Sequence, residues 1–149
     1  MLVNSNCAIK LCDFGLVRSL KARQQAVLTE GVATRWYRSP EVLLGSKSYS
    51  TPADIWSLGC IIYEMLAQKP LFPGSCTLDQ IEKICAFTGY PTEEDIASLD
   101  SEISSSLIKE MKVSSSANST MFLKDFAPEY IDLLQKMLIF NPKKRITIE

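Results

Sequence analysis

The chain has 149 residues, 46% of them hydrophobic and 22% charged, with a formal net charge of −1. That length can enclose one ordinary core, and the near-neutral charge excludes nonspecific attraction to nucleic acid or to an anionic membrane surface. The five cysteines, Cys7, Cys12, Cys60, Cys76 and Cys85, are an odd number in a chain without histidine, so they read as reduced thiols rather than as a disulfide frame or metal cage.

Met1-Leu2-Val3 runs straight into Asn4, which leaves no signal-peptide core. The longest apolar stretch, 58–66, contains Gly59 and Glu64 and is too short to cross a bilayer. The expectation is a soluble cytoplasmic protein, with the nucleus as a second location.

Two short apolar runs, Leu2-Val3-Asn4 and Ala8 to Cys12, flank Ser5-Asn6-Cys7 and predict a small β-hairpin. Asp13-Phe14-Gly15 ends the second strand, with Gly15 free to take a backbone shape closed to other residues. Residues 16–40 lack periodicity and read as a long loop, of the kind that is functional or disordered in a compact domain. The Trp36-Tyr37 pair points to anchoring at its far end.

Thr51 as N-cap, Pro52 at the first position and Asp54 at the third predict a helix through Leu66, to about residue 67. Its apolar residues cover most of the circumference, the pattern of a helix enclosed by other elements. Gly59 costs about 1 kcal/mol against Ala there, which implies close packing.

Pro70 to Gly74 forms a turn. Leu78, Ile81, Ile84 and Cys85 give helical spacing over 77–87, and Pro91 to Asp95 caps a further short helix. Residues 114–120, mostly Ser with Asn and Thr, read as a surface loop. A last helix is expected over 127–140, stopped by Asn141-Pro142. With one hairpin and several helices, the fold class expected is mainly α.

Asp13-Phe14-Gly15 and Ser39-Pro40-Glu41 stand at the spacing that brackets a protein-kinase activation segment. A carboxylate at a strand end can chelate the magnesium that bridges the β- and γ-phosphates of ATP. An Asp-Phe-Gly tripeptide alone is common. The matching closing motif and the Thr51 to Gly59 run give it weight, because independent motifs multiply.

On these motifs the chain resembles eukaryotic protein kinases, and MAP kinases in particular. The resemblance rests on Leu2 to Asn4, Ile9 to Leu16, Val32 to Arg38, Asp54 to Cys60, Pro70 to Gly74 and Asp132 to Ile146. It implies the C-terminal lobe of the protein-kinase fold, with the N-terminal lobe and catalytic loop missing. The activation segment would occupy 13–41, a buried central helix about 52–67, a MAP-kinase-type insert about 75–125 and the last helix about 127–140.

The implied activity is transfer of the γ-phosphate of ATP, with Mg2+, to Ser or Thr followed by Pro. The implied partners are protein substrates with such sites and an upstream activating kinase, or autophosphorylation in its place; no nucleic acid or membrane is implied.

By the same resemblance, Leu2 would lie under the adenine ring and Cys12 would line the floor of that pocket. Cys12 otherwise reads as a packed apolar residue rather than a reactive thiol. Asp13 would bind magnesium, with Phe14 packed beneath it. Thr29 matches an activating phosphothreonine and Arg18 one of its arginine partners. Thr34 would hydrogen-bond the catalytic Asp, and Ala33, Arg35 and Arg38 would shape the pocket for the substrate proline. Glu41 and Arg145 would form a buried ion pair, and Asp54 would brace the catalytic loop.

Two departures stand out. Where MAP kinases carry Thr-X-Tyr, this chain has Thr29-Glu30-Gly31; Gly31 cannot be phosphorylated, and Arg35 and Arg38 lose the phosphotyrosine they would clamp. The catalytic loop that would precede Met1 is absent, so residues 1–149 alone are expected to be inactive. The alternatives are a non-catalytic binding fragment, or a fragment of a cyclin-dependent-type kinase, against which the Thr29-Glu30 pair and the Phe140 to Ile146 run argue.

Overall fold

The computed structural model describes residues 2–17, 35–46, 50–101, 104–111 and 119–148. The chain divides into two compact units, Met1–Glu30 and Gly31–Glu149.

The first unit holds the expected hairpin. Strand β1 (Leu2–Val3) pairs antiparallel with β2 (Ile9–Lys10), Leu2 opposite Lys10 and Val3 opposite Ile9. The turn closes through Asn4 N–H to Ala8 O (3.0 Å) and Cys7 N–H to Asn4 O (2.9 Å), with Cys7 left-handed. The conformational break lies elsewhere than expected. Asp13, not Gly15, is left-handed (φ 62°), and Gly15 lies inside a single 3-10 turn, Phe14–Leu16. An Asp tolerates that conformation better than most residues, because its short polar side chain bonds locally.

The second unit is helical among its described residues. A 3-10 turn at Arg35–Tyr37 leads to α1 (Pro40–Leu43), with Pro40 at the first position and Gly45 left-handed just after the helix. Helix α2 (Pro52–Ala67) follows. Thr51 does not cap it: that residue is itself in the helical region and its hydroxyl makes no cap bond. Proline instead sets the start, since its fixed φ suits the first turn and its missing N–H is not needed there. Gln68, left-handed, ends the helix by donating to Glu64 O at 2.8 Å.

Ile55, Trp56, Gly59, Cys60 and Tyr63 form the buried face of α2. The expectation of a helix enclosed all round is corrected: Leu58 is 40% and Met65 60% exposed. The apolar circumference is real, but only one side of it meets other parts of this unit.

Helix α3 (Thr77–Thr88) buries Gln80, Ile81, Ile84, Cys85 and Phe87. Helix α4 (Glu93–Ala97) begins with a reciprocal capping box between Thr92 and Asp95. Helices α5 (Ser104–Glu110) and α6 (Ser119–Leu123) follow; Ser119 and Thr120, read as loop, begin α6. Helix α7 (Pro128–Met137) is shorter than the 127–140 expected, because Leu138 leaves the helical region three residues before Asn141.

Stacked and edge-on rings tie these elements together. Trp56 stacks on Phe72, Phe72 meets Phe87 edge-on, and Phe87 meets Phe122, each with centroids 5.6 Å apart. Such pairs add about 0.5–1.5 kcal/mol each beyond the area they bury. Gly59 allows α7 to close on α2, since a Cβ there would stand 3.0 Å from Leu138 Cδ2 and 3.2 Å from Met137 Cβ.

Candidate functional site

The best-defined polar structure in the second unit is built around the stretch from Arg35 to Glu41. Glu41 lies in the first turn of α1 and Arg145 just after a 3-10 turn, Pro142–Lys144, which Asn141 caps. Both side chains are buried. They meet through two parallel hydrogen bonds, Nη1 to Oε1 and Nη2 to Oε2, each 2.7 Å. Arg145 also donates from Nε to Ile139 O (2.7 Å), from Nη1 to Pro52 O (2.9 Å) and from Nη2 to Phe140 O (3.0 Å).

All five guanidinium N–H groups are thus used, and the Arg145 Cζ lies 5.0 Å from the Trp56 ring centroid. A fork that satisfies each donor is the geometry in which a buried charge pair holds.

Tyr37 provides a second anchor. Its hydroxyl donates to Glu64 Oε2 at 2.7 Å, and its carbonyl accepts from Ser57 Oγ at 2.8 Å. The hydrogen bond to Glu64, then burial, push the phenol up to about 12, so it stays a donor through the neutral range.

A third anchor joins Trp36 to the turn before α3. Trp36 Nε1 donates to Gly74 O (3.0 Å), Gly74 N–H to Gln80 Oε1 (3.0 Å), and Gln80 Nε2 to Trp36 O (3.4 Å). Beside it, Arg35 Nη1 reaches Ser75 O at 3.3 Å. The Ser75 N–H and hydroxyl in turn donate to Asp79, whose carboxyl is held down at about 2 by its bond from Lys83 and those from Ser75.

The structure therefore brings Glu41 and Arg145 together and holds Arg35 against the turn before α3. Arg38 closes the 3-10 turn by donating its N–H to Arg35 O at 3.0 Å. Asp54 is exposed in the first turn of α2, where a carboxylate complements the helix dipole. In the first unit Leu2, Cys12, Asp13 and Phe14 are all exposed, so Phe14 does not pack beneath Asp13 there. Arg18, Thr29, Gly31, Ala33 and Thr34 lie outside the described residues.

Asp13 suits magnesium in part: its exposed carboxylate is one hard oxygen ligand, and Mg2+ is commonly held by one or two carboxylates together with phosphates. Among the described residues no cluster of three ligating side chains could hold a metal by itself.

Gln80 and Gly74 escaped the sequence reading. Gln80 stands one turn before Ile84, on the apolar stripe of α3, and a polar residue on such a stripe is the signal that marks it. Gly74 read only as part of a Pro-Gly turn. A Cβ there would lie 2.4 Å from Gln80 Oε1 and 2.6 Å from Gln80 Cα, so only glycine permits this approach.

The protein kinase domain profile matches residues 1–149. The chain is 49% identical over its whole length to mitogen-activated protein kinase 15 of Xenopus laevis, of which it covers 26%. It is 43% identical to extracellular signal-regulated kinase 2 of Dictyostelium discoideum, again over its whole length and 42% of that protein. It is also 43% identical, over 99% of the chain, to mitogen-activated protein kinase 7 of Arabidopsis thaliana, of which it covers 40%. The chain thus spans between about a quarter and two-fifths of the length of these relatives. The chain belongs to the protein kinase family, as a member of its MAP kinase branch.

Proposed function

We propose that the protein carrying this chain is a serine/threonine kinase that transfers the γ-phosphate of ATP to a hydroxyl followed by proline, and that residues 1–149 are its C-terminal lobe. The observation that carries this reading is the buried Glu41–Arg145 pair. It fixes the far end of the stretch between Asp-Phe-Gly and Ser-Pro-Glu to the last part of the second unit.

A magnesium ion here would supply positive charge to offset the charge developing on the transferred phosphate. Asp13 would hold that ion, and Leu2 and Cys12 would contact the adenine. Arg35, Arg38 and Ala33 would shape the site for the substrate proline, Thr34 would position the catalytic Asp, and Asp54 would brace the loop that bears it. Thr29, paired with Arg18, would carry the single activating phosphate, because Gly31 leaves no second acceptor. An upstream kinase, or the protein itself, would transfer it there from ATP. The working compartment would be the cytoplasm, with the nucleus second.

Positioning and electrostatics supply most of the rate in phosphoryl transfer, so residues 1–149 alone should not phosphorylate a Ser-Pro peptide. Placed in the matching stretch of the Xenopus relative, the same residues should restore transfer, and Asp13→Asn should abolish it. Transfer by the isolated fragment, or an Asp13→Asn chimera as fast as its parent, would count against these roles. Mass spectrometry of the active kinase should find phosphate on Thr29; a fully active preparation with Thr29 unmodified would sink the single-site idea.

A further inference from the structure

We infer that Gln80 is a positioning residue for substrate recognition, acting through Trp36 on Arg35; this rests on the kinase reading above. Gln80 is fully buried in the first turns of α3. A carboxamide taken out of water is costly unless both its ends are bonded, and here both are. Its oxygen accepts from Gly74 N–H and its nitrogen donates to Trp36 O, while Trp36 Nε1 donates back to Gly74 O. The three residues form a closed ring in which each donates once and accepts once.

A methionine would fill the same space without any polar group to satisfy, so bulk alone does not explain an amide here. What the amide adds is direction. It fixes the Trp36 carbonyl, and with it the backbone that presents Arg35, at a set distance from α3. The Arg35 guanidinium is held from the same side: it donates to Ser75 O, and Ser75 is bound by Asp79, the residue before Gln80. One turn of α3 therefore sets both the backbone and the side chain of Arg35. Removing the ring lets Arg35 drift while leaving the phosphate chemistry intact, so its loss falls on recognition of the residue after the phosphorylated one.

The test uses the longest natural protein that carries these residues, with a Ser-Pro peptide and its Ser-Ala counterpart as probes. Gln80→Met keeps the volume and removes both bonds. Gln80→Glu keeps the shape and the acceptor for Gly74 N–H but removes the donor to Trp36 O. Gln80→Met should raise KM for the Ser-Pro peptide about tenfold, the scale of one lost hydrogen bond, with kcat within about twofold. The preference for Ser-Pro over Ser-Ala should shrink by the same factor, and Gln80→Glu should fall between.

A purely structural role predicts instead lower activity in proportion to the folded fraction, with an unchanged preference, and that result overturns the inference. If Gln80→Met does not fold, Gln80→Glu decides by the same ratio. A wild-type protein that phosphorylates neither peptide sinks the kinase reading itself, and this role with it. A wild-type kinase indifferent to the proline sinks the role of Gln80 while leaving the kinase reading standing.

Discussion

Arg145 has no donor to spare, and that makes its removal asymmetric. Arg145→Met leaves the Glu41 carboxylate buried without a counter-charge, and such one-sided breakage typically costs about 3–5 kcal/mol. Urea unfolding should show a loss of that size, and the double variant Glu41→Leu with Arg145→Met should recover most of it. A single variant as stable as wild type would mean the pair is solvated in solution.

Asp95 ties stability to pH. Burial pulls its carboxyl up, but hydrogen bonds from Lys144, Asn141 and Thr92 outweigh that and hold it below its ordinary value. The folded carboxyl therefore binds its proton less readily than the unfolded one, whose pKa is about 3.9. Its contribution is present above about pH 4 and is lost as pH falls through the folded value. Asp95→Asn should be less stable than wild type at pH 7, with the gap closing toward pH 2.5. Equal stability at pH 7 would contradict the network.

Between elements, the contact of α2 with α7 depends on Gly59. Gly59→Val places carbon where Leu138 and Met137 already stand, and overpacking of this kind costs about 1–3 kcal/mol. Thermal unfolding of that variant would measure it, and an unchanged midpoint would mean that α7 moves aside freely. Much at this scale could be read from residues. Ser5-Asn6 marked the hairpin turn, Pro52 the start of α2, Thr92 with Asp95 the start of α4, and the lone Gly59 a close crossing.

Other features could not be read, because tertiary partners decide them. Thr51 looks like a cap but joins the helical backbone instead, and Gln68 ends α2 in a left-handed shape that no glycine announces. Helix α5 is short and built largely on serines, so its pattern is weak, yet Ile108 within it is fully buried. Of the anchors, the Glu41–Arg145 pair was visible only through likeness to a family, since 104 residues separate the two. The Trp36–Gly74–Gln80 ring needed coordinates, because nothing in a linear string shows that a glycine and a glutamine six apart face a distant tryptophan.

For the molecule as a whole, the buried apolar core among the described residues runs from Leu44 to Phe140. Leu2, Val3, Ile9 and Leu11 are each more than half exposed. The exposed Leu58 and Met65 on α2 belong to the same picture: this helix carries more apolar surface than its own unit covers, in a chain that spans only part of its relatives' length.

The Glu41–Arg145 clasp also sets a clock on biosynthesis. Ribosomes add about 5–20 residues each second, so Glu41 emerges roughly 5–20 s before the arginine 104 positions later that completes its site. Until then the Glu41 carboxylate has no counter-charge to sink beside, and the stretch running into α1 rests on its Trp36 and Tyr37 anchors. A translational pause or break between Met137 and Arg145 leaves a nascent chain with its helices made and its carboxylate unclasped. That state is the one a quality-control protease would meet.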